Sequence, residues 1–590
     1  MVLTVGLAAA ALGVWLWAAG QLAGWINSGR WPTVPVSSTG SILAGLPGHW
    51  SDPRQAWPAT ARPGLPGPGL MYGCVLAPVL PALFTGGAWR RWRTGLRGGG
   101  QRLAGARWAS GGDLRRLRIR GPEAGRLVVG RLAGTPINRL LATEARHSVL
   151  VIGPTQSGKT TGLAIPALLE WHGPVIATSV KDDLAATTRG WRSRQGPCWI
   201  FDPTATSGLH PLARWSPLAA SGDWSGAQRT AGWLVDATPA RAGLADAAFW
   251  YAAAAKQLAP LLLAAERAGA GMATVVRWTN SSEFDEPLRL LELSGEYDAA
   301  LALSAGAGRD ERIRSSVATT LETVLAPFED PVVAGWTSES DVLLAELFDA
   351  RGSLFLCGPS HEQHRIQGLF AALVAAAAAE AVGRVNRNGR PLDPPLLLVL
   401  DEAANIAPVR DLDTLASTGA GMGIQLVTVC QDLAQLAARY GSERSRTIAN
   451  NHRAKLLLSG VSDLTSLDLV SGLAGEQAVR EETVTHDLRD GRRTTSRATV
   501  FRRLAPTDQL RRIPPGQGVL VYGHLPPVRI RLRPWFQDRR LAKRAGSRRL
   551  GGLPGPAGRH PGRLAGHLGI YRGPGGVGQA GVNVAPDHVE

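Results

Sequence analysis

An α/β fold on a mostly parallel sheet, split by an inserted all-helical domain and preceded by two transmembrane helices, is what the 590-residue sequence predicts. Three observations lead there. Seven short apolar runs, at residues 148–153, 174–178, 197–202, 353–358, 395–402, 424–431 and 454–460, are continuously rather than alternately hydrophobic, as strands covered on both faces are. About 150 residues, rich in alanine and helical in pattern, separate the third run from the fourth. Residues 2–26 contain no charged side chain.

The chain is too long for a single core. It divides into a membrane part with an extracytoplasmic loop (1–92), a nucleotide-binding domain in two parts (93–204 and 341–537), the helical insertion (205–340) and a basic, Gly/Pro-rich disordered tail (538–590). As a helix, residues 2–26 reach about 37 Å, enough for a bilayer core of about 30 Å. A cleaved signal peptide is the other reading of this stretch, but the basic n-region is missing and the apolar run exceeds the usual 7–15 residues. A second uncharged stretch, Pro63–Trp89, contains Pro78 and Pro81, breaks that membrane helices tolerate when the freed carbonyls find other partners. Arg90, Arg91, Arg93 and Arg97 follow at once, and cytoplasmic flanks collect such charge. A multi-pass protein of the plasma (inner) membrane follows, with residues 27–62 outside and the large C-terminal part in the cytoplasm.

Charge adds a constraint. The formal net charge is +17. Residues 90–107 carry six arginines and no acid, and residues 529–572 carry eleven arginines and Lys543 against Asp538 alone, so two flanking segments hold the whole excess. Overall basicity therefore does not show that the central domain binds nucleic acid; the first cluster suits anionic lipid equally well. The four cysteines, Cys74, Cys198, Cys357 and Cys430, have no metal-ligand spacing and read as buried thiols in a reducing compartment.

Residues 106–119 and 125–132 look like short strands leading into the nucleotide site. Asp490-Gly491 marks a hairpin turn between residues 482–488 and 492–500. The run at 148–153 opens into Gly153, Pro154, Thr155, Gln156, Ser157, Gly158, Lys159, Thr160 and Thr161, a phosphate-binding loop between a strand and a helix. Its glycines let backbone N–H groups face phosphates, Lys159 reaches the β- and γ-phosphates of ATP, and the Thr160 hydroxyl belongs on Mg²⁺. Only five of the 64 basic residues are lysines, yet one falls at the required position. A hydrolase also needs an acid on the metal and a group that orients water. Asp401, at the end of the run 395–402, is assigned to the metal, Glu402 to polarising water, and Gln431 to sensing the γ-phosphate. Asp-Glu pairs after strands also suit helix N-termini, and a glutamine there also caps a strand end.

These residues, with TSVKDDL at 178–184, the stretch 400–441 and the stretch 502–536, resemble the type IV coupling proteins of conjugation and type IV secretion, related to ring-forming DNA-pumping ATPases. The resemblance covers most of residues 108–536. It implies a RecA-like P-loop NTPase assembled as a membrane-anchored homo-hexamer. Such proteins deliver single-stranded DNA with its attached relaxase, or a protein cargo, to type IV secretion channel components. A translocase for double-stranded DNA or secreted protein, and a nucleotide-binding scaffold without turnover, are the other readings. Lys181 lies in a shared segment and has no assigned role. The family often has a basic pair before the sensor strand as a finger to the neighbouring subunit, but this chain has Ser417–Gly423 without a charge. Arg146 is the first candidate for that catalytic role, with Arg444 and Arg446 behind it. Cargo recognition is expected in the insertion and tail, where Trp224, Trp233, Trp250 and Tyr251 either stack on bases or pack helices.

Overall fold

The structure, a computed structural model, describes residues 2–77, 105–134, 139–238, 247–486 and 493–546. It separates into two compact units, residues 1–105 with 477–502 and residues 106–476 with 503–590.

The larger unit is built on strands β1 (Arg118–Ile119), β2 (Val128–Leu132), β3 (Leu140–Ala142), β4 (Val149–Ile152), β5 (Val175–Ser179), β6 (Cys198–Phe201), β7 (Ser353–Cys357), β8 (Leu396–Leu400), β9 (Ile424–Cys430) and β10 (Ala454–Leu458). After β11 (Glu476–His486) and β12 (Arg493–Arg503), which pair only with each other, come β13 (Gln517–Tyr522) and β14 (Val528–Arg531). Twelve of these form one sheet in the order β1-β3-β2-β14-β13-β10-β4-β9-β8-β5-β7-β6.

All seven continuous apolar runs are strands, and from β10 to β6 neighbours pair in parallel. The other half, from β10 through β13 to β1, is antiparallel. The mostly parallel sheet expected from the sequence is therefore a mixed one. The physical reason shows in β14, whose residues alternate buried and exposed, the pattern of a strand with one face to solvent. Residues 106–119 also depart from expectation: only Arg118 and Ile119 are strand. Leu114 and Leu117, both fully buried, are spaced for a turn rather than for alternate strand positions.

Between β6 and β7 the described residues form helices and no strand, including Trp224–Ala237, Ala247–Arg267, Met272–Ser281, Asp285–Leu293, Tyr297–Ala307 and Glu311–Leu325. These helices share one hydrophobic cluster with a face of the sheet, where Leu258 and Leu262 join Phe201, Leu354 and Leu398. Trp224, Trp233, Trp250 and Tyr251 are half-buried against that cluster, which is where helix-packing residues sit. The other face of the sheet is covered by a second cluster that includes Val149, Val151, Leu168 and Leu541.

Leu541 places the end of the fold later than the expected boundary at 538. Asp538 caps the helix Arg539–Arg544 and accepts from Arg131 at 2.8 Å and Arg533 at 3.1 Å. Arg533 also donates twice to Glu170, at 2.7 and 3.0 Å, with side chains only 5% and 9% exposed. The described chain thus remains packed to its end at residue 546; the rest of the expected tail, 547–590, lies outside the described residues, as does the turn at 490–491 between β11 and β12.

In the smaller unit, the first expected span is one helix of 27 residues, Val2–Ser28. Residues 30–65 fold back along its second half instead of standing free as a loop. Trp57, Leu65 and Met71 bury against Ala19 and Ala23. A Cβ at Gly20 would lie 1.9 Å from the Trp57 indole and one at Gly24 would lie 2.3 Å from Pro32, so glycine is required for this approach. The second expected span is corrected at its start: a 3-10 turn, Arg62–Gly64, precedes a helix only at Pro68–Leu76, because Pro63 and Pro66 interrupt the chain and Pro68 suits the first position of a helix. Residues 78–104, with the rest of that span and the arginines expected to flank it, Arg90, Arg91, Arg93 and Arg97, lie outside the described residues. Among the described residues, Gln363–Asn388 is long and apolar enough to cross a membrane, but its apolar stretch is mostly buried and it is a core helix.

One prediction concerns the Arg533 network. Arg533→Ala leaves Glu170 buried without its partner and should lower unfolding free energy by about 3–5 kcal/mol in urea denaturation. Arg446→Ala, which removes a side chain that is 76% exposed, should change it by less than about 0.5 kcal/mol.

Candidate nucleotide site

The site is set by β4, buried at all four residues. Where it ends, the Gly153 N–H donates to the Cys430 carbonyl at the end of β9, 3.1 Å away. Gln156 (φ 65°) and Gly158 (φ 89°) are left-handed, a conformation that turns successive N–H groups into a concavity for anions. A Cβ at Gly153 would stand 2.6 Å from Ser157 Oγ, so the loop closes only around glycine. The helix begins as one π-helical turn, Thr160–Ala164, and continues as Ile165–Glu170. Leu532 lies across this turn: a Cβ on Gly162 would be 2.9 Å from it, and one on Gly158 would be 3.2 Å away.

Lys159, 7% exposed, donates from Nζ to the Gly153 carbonyl at 3.3 Å. Thr160 Oγ1 donates to Asp401 Oδ2 at 3.1 Å. Asp401 follows β8 directly, and its own carbonyl accepts from Thr178 Oγ1 at 3.0 Å, which fixes the strand end. Burial pushes the Asp401 carboxyl up to about 6, Glu402 adds to the shift, and Lys159 and Thr160 oppose it. Glu402 holds a left-handed backbone (φ 54°) that a non-glycine residue rarely adopts. Its carboxylate accepts from Gln431 Nε2 at 3.4 Å.

Lys159, Thr160, Asp401, Glu402 and Gln431 therefore meet at one edge of the sheet. Two buried oxygens there, Asp401 Oδ1 and Ser157 Oγ, have no hydrogen-bond partner among the described residues. A carboxylate and a hydroxyl in contact, beside a buried ammonium and a loop of N–H groups, are the donor set for a magnesium-bound triphosphate.

Arg146 is not part of this group. It lies before β4, at the opposite end of the strand from the phosphate loop, about 13 Å away by strand rise alone. Arg444 is held by Asp413 at 2.9 Å, and Arg446 is exposed with Glu443 at 3.7 Å. Thr178 and Leu532 were not singled out by sequence: the first lies in TSVKDDL without a chemical signature, and the second touches the loop from 370 residues away. Lys181 is exposed.

Fold and site together define the class, a P-loop nucleoside-triphosphatase fold with a helical insertion. Residues 107–550 match the family described as type IV secretory system conjugative DNA transfer, and the chain belongs to that family. It is 28% identical over 384 residues to a conjugal transfer protein TraG of Escherichia coli, which covers 60% of this chain and 58% of that protein. A VirD4 protein of Rhizobium rhizogenes is 25% identical over 480 residues, 77% of this chain and 68% of the relative. Among solved structures, the bacterial conjugative coupling protein TrwB without its first 70 residues, unbound, has a TM-score of 0.56 at 21% identity and covers 73% of this chain and 93% of its own. TrwB in complex with ADP and Mg²⁺ has a TM-score of 0.54 at 21% identity, covering 73% and 94%.

The Asp401 environment predicts a pH effect on the nucleotide-free protein. Its folded carboxyl titrates near 6 against 3.8 when unfolded, so the unfolded state loses its proton first and stability falls as pH rises through that window. Asp401→Asn should not lose this stability: in urea denaturation it should exceed the parent by up to about 3 kcal/mol at pH 7 and match it near pH 3.

Proposed function

We propose that this chain is a membrane-anchored ATPase that couples ATP hydrolysis to the delivery of single-stranded DNA, carrying its relaxase, into a type IV secretion channel. The observation that carries the proposal is the meeting of Thr160 and Asp401 beside buried Lys159, with Glu402 and Gln431 alongside, in a chain of the conjugative DNA transfer family. Solved TrwB structures hold ADP with Mg²⁺ and the ATP analogue ADPNP, which supports the same ligands here. This chain spans only 58% of the first TraG relative, so the activity of the whole relative is part of the proposal.

In this reading the backbone N–H groups of the loop from Thr155 onward bind the phosphates, Pro154 having none and that of Gly153 being held by Cys430, and Lys159 neutralises the β- and γ-phosphates. Thr160 and Asp401 hold Mg²⁺, which when bound supplies positive charge to those oxygens. Glu402 polarises the attacking water, and Gln431, through its hydrogen bond, fixes the Glu402 carboxylate and reads the γ-phosphate. Hydrolysis drives strand transport through a ring of six copies. Because Arg146 is remote from its own phosphate loop, its catalytic role is toward a neighbouring copy. The helix Val2–Ser28 and the uncharged stretch ending at Trp89 are the two membrane passes, with the larger unit in the cytoplasm.

Two outcomes test this. Lys159→Ala and Glu402→Gln should each lower steady-state ATP hydrolysis at least about 100-fold, with the Glu402 variant still binding ATP; hydrolysis equal to the parent in either variant refutes the enzyme assignment. For the cargo, hydrolysis should rise more with a single-stranded oligonucleotide than with the same sequence as a duplex. A preference for the duplex would reassign the transported polymer.

A further inference from the structure

We infer that residues 111–120 with Arg139 form a binding site for the phosphate of an anionic lipid headgroup, separate from the nucleotide site. The site is a cleft of about 690 Å³ lined by Gly111, Gly112, Arg115, Arg118, Ile119, Arg120 and Arg139. Among the described residues, four arginines and no carboxylate line it.

Strand pairing makes this charge more pointed. β1 and β3 are antiparallel with Ile119 opposite Leu140, so the next residues outward, Arg120 and Arg139, stand opposite each other at the strand ends. Like charges in that position repel and destabilise a sheet unless something neutralises them. No described side chain does so. The nearby carboxylates are engaged elsewhere, Asp113 with Arg107 at 2.6 Å, Glu123 with Arg126 at 2.7 Å, and Glu144 with Arg116 at 4.0 Å. Residues 135–138, which precede Arg139, are uncharged in sequence. Arg118 shows how the cleft keeps its shape: its guanidinium donates to the Gly111 carbonyl at 3.0 Å, and a Cβ at Gly111 would be 3.1 Å from the same group. Arg115, Arg120 and Arg139 keep their donors for a ligand.

Forked guanidinium donors on a shared anion are the chemistry of phosphate recognition. Two features favour a lipid phosphate over a nucleic-acid strand. Among the described residues the lining has no aromatic ring, whereas single-strand sites add stacking surfaces to a basic groove; Trp108, the nearest in sequence, is already covered by the Arg529 guanidinium at 4.6 Å. The cleft also begins only about twenty residues after the uncharged stretch ends at Trp89, and the intervening chain carries the six arginines of 90–107. A basic segment immediately cytoplasmic of a membrane pass reads as an anionic-lipid contact. This placement rests on the membrane anchoring proposed above; the charge of the cleft does not.

The test uses the full chain in non-ionic detergent, titrated with dioctanoyl phosphatidylglycerol and, as the neutral control, dioctanoyl phosphatidylcholine, with binding read by native mass spectrometry. Phosphatidylglycerol should bind and phosphatidylcholine should not. Arg115→Ala, Arg120→Ala and Arg139→Ala should each weaken binding about fivefold and together about 100-fold, with ATP hydrolysis in detergent unchanged. Equal binding of the two lipids, or phosphatidylglycerol binding untouched in the triple variant, overturns the site. So does a single-stranded dodecamer that binds the parent but not the triple variant while the lipid fails to bind, because the cleft then belongs to nucleic acid. Extraction of the chain from membranes by alkaline carbonate would defeat the anchoring reading instead, and the lipid titration still decides the cleft.

Discussion

The whole nucleotide site depends on three parallel strands ending at the same edge. β4 delivers the phosphate loop, β8 delivers Asp401 and Glu402, and β9 lies between them and delivers Gln431. Every residue of the three is buried, which is possible only because both faces of this half-sheet are covered, one by the insertion and the core helix Gln363–Asn388, the other by the helix after the phosphate loop. A change of register by one residue in any of them would turn its apolar side chains to the wrong face and separate Thr160 from Asp401.

At that edge the protein holds an arrangement that is electrostatically incomplete. A buried carboxyl raised to about 6 and an oxygen on it without a partner among the described residues cost folding free energy, and Lys159 has only a carbonyl of its own loop to donate to. Glu402 and Gln156, both left-handed and neither glycine, add backbone strain at the same place. A divalent cation and a triphosphate would satisfy each of these groups, so the local cost and the ligand chemistry have one origin. The Arg533–Glu170–Asp538–Arg131 network and Leu532 brace the loop's helix from the C-terminal side, which makes a segment hundreds of residues away part of the phosphate site.

How legible this was in the sequence follows from the range of each interaction. The seven strands of the parallel half were readable because burial on both faces writes itself as continuous hydrophobicity, even in β6 at the end of the sheet. β14 was not, since Val528-Arg529-Ile530-Arg531 alternates and looks like a surface segment until it pairs. The phosphate loop is a local device, with glycines and lysine at fixed offsets, and Asp401 and Glu402 stood out because they end a buried strand. Leu532 and Arg533 carried no such mark; Arg533 meets Glu170 across 363 positions, a distance no local pattern encodes. Asp538 reads as the start of a tail because the segment around it is arginine-rich, whereas Arg131 and Arg533 make it an ion partner and the N–H groups of Arg540 and Leu541 make it a cap. Arg120 and Arg139 likewise became one feature only when β1 and β3 paired.

The most direct measurement of the central claim is a structure of the chain soaked with Mg²⁺ and a non-hydrolysable ATP analogue. The account has Thr160 and Asp401 hold the cation, with Lys159 on the phosphates and Glu402 facing the γ-phosphate. A triphosphate bound elsewhere, or bound at the loop with Thr160 still on Asp401 and no cation between them, would contradict it.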